Sequence, residues 1–227
     1  MLRSVRALLT PTTARLWHGL TAVVAVGALG LQAVLTVSGA AYAPADLPPL
    51  WPRVGQTLSY FTIQSVALVA VAAVLLTRDP VRDGRGFRWL RVSGLGGIVV
   101  TGLVHYFLLA PLFHGTGWVA VCDKLLHWAV PLLAVGGWLL FGPSPRLDGR
   151  TLRTAFVWPL AWLGWTLVVG QVTGWVPYEF LDAGVIGWPT VGGTVAALLV
   201  LFVVLLVALR QLERVLPMLG STPPDTA

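Results

Sequence analysis

Six stretches of the chain are apolar for long enough to cross a bilayer, which takes about 20 helical residues. They cover residues 20–38, 58–76, 92–113, 125–141, 156–174 and 191–209. The fourth is short as bounded. Residues 118–122 extend it and bring Asp123 and Lys124 to the membrane edge. The pattern predicts an all-α, polytopic bundle of six transmembrane helices in one domain, residues 1–216, followed by a polar, disordered tail, 217–227.

The polar positions within these stretches gather at one end. The second stretch opens on Ser59, Thr62, Gln64 and Ser65. Read as one helix, it puts Ser59, Thr62 and Ser65 on a shared face and Gln64 on another. In the fourth stretch Asp123 and His127 lie one turn apart, as do Thr101 and His105 in the third. The fifth ends on Gln171 and Thr173, and Tyr178, Glu179 and Asp182 follow it. At about 1.5 Å per residue, Thr62 and His127 both sit roughly 6–8 Å below the boundary. The other half of the bundle reads as almost wholly apolar, so the picture is a polar pocket open to one leaflet. Pro131 removes the backbone bond to the carbonyl of His127 and predicts a bend there.

Charge supplies the orientation. The amino-terminal tail, the connections after the second and fourth stretches, and the carboxy-terminal tail carry 13 of the 15 basic residues. The other connections carry Arg53 and Lys124. Positive loops stay inside, so both termini are predicted to be cytoplasmic. The net charge of +6 is then a topology signal, and no nucleic-acid partner is called for. The composition agrees: 11% charged residues against about 25% in soluble domains, with a mean hydropathy of +0.81. The arginine bias and the helical bundle suggest a bacterial inner membrane. The first stretch follows three arginines, and residues 41–43 resemble a cleavage site, but its 19 residues exceed a signal core, so it reads as a retained span. The 11 tryptophans fit the aromatic belts at the two membrane surfaces.

Cys122 is the single cysteine, which excludes an internal disulfide and a cysteine metal cluster. No metal or cofactor is expected. A buried histidine is most simply a hydrogen-bonded packing residue, and a membrane threonine ordinarily bonds back to the carbonyl four residues earlier. His18 reads as interfacial. Taken together, Thr62, His127 and Asp123 also fit a hydroxyl nucleophile, its base and an orienting carboxylate.

Three motifs in order, LSYFTIQS at 58–65, DKLLHWAVP at 123–131 and GWVPYEFLD at 174–182, resemble the FAR/androgen-induced family of six-helix membrane proteins, in particular its uncharacterised bacterial branch. The resemblance covers nearly the whole chain. It implies a threonine hydrolase of fatty-acid esters of hydroxy fatty acids, with Thr62 as nucleophile and His127 as base. Asp123 departs from the dyad of the animal members. Supporting residues are then Asp123, His105, Gln64, Ser65, Gln171 and Tyr178, of which Gln64, Ser65, Gln171 and Tyr178 are candidate oxyanion donors. The expected partner is a membrane lipid. Two other functions stay open: lipid binding or transport without chemistry, and electron transfer through a single haem held by His105 and His127. Substrate identity and oligomeric state are not legible.

Overall fold

A computed structural model describes residues 10–42, 47–142 and 147–213, so the predicted tail lies outside the described residues. Six helices are long and apolar enough to cross a membrane, as the hydropathy predicts: α1 (Pro11–Ser38), α3 (Phe61–Arg78), α4 (Arg85–Leu112), α5 (Gly117–Phe141), α6 (Gly149–Thr173) and α8 (Trp188–Glu213). Two short helices complete the bundle, α2 (Leu50–Ser59) and α7 (Ala183–Ile186). Local chemistry sets several ends. Thr10 and Thr13 form a reciprocal cap at the start of α1, with Pro11 as its first residue. Asp148 accepts from the Thr151 N–H at 2.6 Å and starts α6.

The second apolar stretch is not one helix. It breaks at Tyr60, whose backbone is extended (φ −67°, ψ 129°). Ser59 therefore ends α2 and bonds back to Gly55, away from the predicted shared face. The break makes Thr62 the second residue of α3. No side chain caps this helix start. The N–H groups of Phe61, Thr62 and Ile63 are thus left without partners inside the helix.

Helices α1, α3, α4 and α5 form the tight part of the bundle. Lipid offers no hydrophobic drive, so close packing depends on small residues. Ala25 and Ala28 of α1 and Val66 of α3 have no exposed surface. A Cβ on Gly94 would stand 3.3 Å from the backbone of residues 68 and 69, so α4 and α3 approach almost backbone to backbone. A Cβ on Gly97 would stand 2.7 Å from Ser65 Oγ and 2.8 Å from Trp158. Helix α6 leans on this core through tryptophans: Trp162 donates to the Ser59 carbonyl at 2.8 Å and Trp158 to Gln64 at 3.0 Å. Trp17 and Trp89 likewise donate to carbonyls of other helices. These four are inter-helix clamps rather than belt residues, whereas Trp51, Trp118 and Trp188, near helix starts, are exposed as belts require.

The arginine-rich half is more polar than its hydropathy suggests. His18 is 5% exposed, packed edge-on against Phe141, and is not interfacial. Arg91, read as a loop residue, is inside α4 and donates to the Gly142 carbonyl at 3.0 Å. Glu213 is buried and accepts from the Leu147 N–H at 2.7 Å. These groups lock the arginine-rich ends of the helices together, which a hydropathy window cannot register.

Candidate active site

The opposite end holds the predicted polar group. Thr62 Oγ1 lies 3.4 Å from His127 Nε2. On the far side of that ring, Nδ1 lies 2.9 Å from Asp123 Oδ1 and 3.0 Å from the Asp123 carbonyl. A backbone carbonyl only accepts, as does an ionised carboxylate, so the neutral ring carries its proton on Nδ1. The lone pair of Nε2 then faces the threonine hydroxyl, as a base requires. Asp123 and His127 are an i, i+4 pair on α5, and the side chains of both are largely buried.

His105 joins from α4. Its Nε2 lies 3.5 Å from Asp123 Oδ2, so one carboxylate spans two imidazoles. The two rings stack with centroids 3.9 Å apart and planes 9° apart. Both histidines sit on π-helical turns, His105–Leu109 and Leu125–Ala129. The extra residue in such a turn shifts the helix face locally, a device that recurs at functional sites. Ahead of Pro131, where a bend was predicted, the helix carries a π-turn in which the Val130 N–H reaches back to the Leu125 carbonyl.

The nitrogens of His105 and His127 and a carboxylate oxygen of Asp123 all lie within 4.8 Å of one another, as metal ligands would. An imidazole binds a metal in its own ring plane. Two parallel stacked rings share no such point, so metal binding needs one ring to rotate. The same stack leaves no space for a porphyrin between the two histidines, contrary to the haem arrangement. As they stand, the three groups are arranged to hold protons.

The four candidate oxyanion donors separate clearly. The Gln64 amide is spent, donating to the Leu58 carbonyl at 3.1 Å and accepting from Trp158. Ser65 bonds back to the Phe61 carbonyl at 2.7 Å and lies beneath the site in the core. Gln171 is exposed on α6, and nothing in the structure brings it to Thr62. Tyr178 does reach the site. Its hydroxyl lies beside the Thr62 side chain and the N–H groups of Phe61 and Thr62 at the uncapped start of α3. Burial pushes its phenol up to about 12, so Tyr178 remains an O–H donor at any ordinary pH.

Around these groups is a cavity of about 390 Å³. Gln32, Tyr42, Thr57 and Tyr60 contribute to its wall besides the residues already named. Sequence reasoning missed these: Gln32, Tyr42 and Thr57 lie outside the three motifs, and Tyr60, inside the first, reaches the cavity only because the helix breaks there. The backbone amides of Phe61 and Thr62 were also missed, since their availability depends on the break at Tyr60. Cys122 is buried beside the site, with Sγ 3.4 Å from Gln32 Oε1, and serves packing. Compared with family models, curated proteins and solved structures, the chain finds no match in any of the three.

Proposed function

We propose that this protein is a membrane hydrolase that cleaves a lipid ester through a Thr62 nucleophile. The observation that carries the reading is the engagement of both nitrogens of one imidazole: acceptors on Nδ1 and the Thr62 hydroxyl at Nε2. The resemblance of the three motifs to the FAR/androgen-induced family points to the same pair and to fatty-acid esters of hydroxy fatty acids as the substrate class.

His127 Nε2 takes the Thr62 proton as Oγ1 attacks the ester carbonyl. Asp123 stabilises the imidazolium that forms. The carbonyl oxygen becomes an oxyanion and receives a hydrogen bond from Tyr178. The uncapped start of α3 presents its positive end beside the phenol, which polarises the O–H and makes it a better donor. Collapse breaks the ester C–O bond, and His127 returns the proton to the departing alcohol. Water then attacks the acyl-threonine with His127 as base again, releasing a fatty acid and regenerating the hydroxyl. His105 is a positioning residue that holds the second carboxylate oxygen of Asp123.

Labelling by a fluorophosphonate probe tests the reading. Wild type is expected to label, with the adduct on Thr62, while Thr62→Ala and His127→Ala are not. Equal labelling of all three proteins would sink the proposal.

A further inference from the structure

Thr62 stands between two cavities of opposite character. One is the polar cavity already described. The other lies among α3, α4, α6 and α8, with about 80 Å³ free inside it and further room where it opens. Its wall is aliphatic and aromatic except for three hydroxyls, those of Thr62, Thr101 and Tyr178. Thr62 and Tyr178 line both cavities, so the two meet at the proposed reacting atom.

Two further observations point to a ligand. Thr101 is 4% exposed, and its hydroxyl has no hydrogen-bond partner. It does not use the back-bond that membrane threonines usually make. A buried hydroxyl left unpaired costs about 1–3 kcal/mol, and a bound oxygen atom would relieve it. In addition, the α8 wall of the cavity, Val195, Leu198 and Leu199, is only half-buried, so the cavity communicates with the lipid-facing surface.

The geometry points to this second cavity as an acyl-chain site. The fatty-acyl half of the ester enters sideways from the bilayer between α6 and α8. Its carbonyl stops among the hydroxyls of Thr62, Thr101 and Tyr178, and the chain lies along Val195, Leu198 and Leu199. The alcohol half then projects into the polar cavity and leaves toward water. The inference rests on the hydrolase reading for its orientation. The acyl site itself does not need turnover.

Two measurements on the full chain in detergent or nanodiscs keep the two ideas apart. In the first, turnover of p-nitrophenyl myristate and butyrate is compared in wild type and Leu198→Trp, whose indole fills the cavity. The myristate-to-butyrate ratio is expected to fall about tenfold. An unchanged ratio overturns the acyl site and leaves the hydrolase reading intact. In the second, wild type is photolysed with a fatty ester bearing a mid-chain diazirine, and the adducts are mapped. Adducts on Val195, Leu198 or Leu199 that disappear with excess palmitate ester support the site even if no ester is turned over. Adducts spread evenly over the lipid-facing surfaces of the helices overturn it.

Discussion

Replacing Asp123 by Asn removes one charge and almost no volume, so it isolates what the carboxylate contributes. The carboxylate lies 2.9 Å from His127 Nδ1, which puts its charge about 4 Å from that of an imidazolium. At that separation the attraction is about 4 kcal/mol for an effective dielectric near 20 and about 1 kcal/mol in water. The pair is largely buried, which places the loss toward the upper figure, near 10³-fold in rate. The ring does not lose its tautomer, because the carbonyl of residue 123 still accepts from Nδ1 at 3.0 Å. The expected result is a fall in kcat of roughly 10²–10³-fold with KM held within about threefold, since the charge exists only along the reaction path. Turnover of a chromogenic fatty ester by purified Asp123→Asn, beside wild type and Thr62→Ala, measures it. A loss below about threefold would mean that the carboxylate stabilises no charge. A loss as deep as that of Thr62→Ala would mean that the backbone carbonyl cannot orient the ring. Either result refutes the reasoning.

Tyr178→Phe keeps the ring that stacks on Phe180 and deletes the donor, so kcat should fall by about 10²–10³ while the melting temperature holds. With the phenol pushed up to about 12, Tyr178 adds no alkaline loss of activity below pH 10; a wild-type limb near pH 10 that vanishes in Tyr178→Phe would contradict this. Gly97→Ala forces a methyl against Ser65 and Trp158 and should destabilise the bundle by about 1–3 kcal/mol, read by unfolding in detergent. Alkaline phosphatase joined after Asp182 should be active outside the cell and joined at the carboxy terminus inactive, which is the orientation the positive-inside rule predicts from the arginine-rich connections.

The fold was largely legible because each helix had to solve the same problem of length and apolarity. What hydropathy could not show was polar chemistry hidden inside a span. Arg91 averages out within an apolar window, yet its side chain holds the end of α5. Tryptophan counts invite a belt, but whether an indole N–H meets a headgroup or a carbonyl depends on the neighbouring helix. Trp158 and Trp162 both turn inward, onto Gln64 and Ser59. The two π-helical turns each end two residues before a proline, Pro111 and Pro131, whose missing N–H leaves the carbonyl four residues earlier without its helical partner. Pro111 was legible within the third apolar stretch, but not that the turn ahead of it would carry His105 into the site.

The prominence of Thr62 comes from a backbone event rather than from the residue itself. Among the described hydroxyls, Thr21, Ser65, Thr77, Thr173 and Thr194 all donate to the carbonyl four residues earlier. That bond occupies the proton a base would need. Thr62 would do the same in an unbroken helix, with the Leu58 carbonyl as acceptor. The extended residue at Tyr60 takes that carbonyl out of line, and the Gln64 amide claims it instead. The Thr62 hydroxyl is thereby released toward His127, at a helix start whose N–H groups have no side-chain cap and which lies beside the Tyr178 hydroxyl. A substitution that restores continuous helix across residues 58–62 should silence the site without touching any of its side chains.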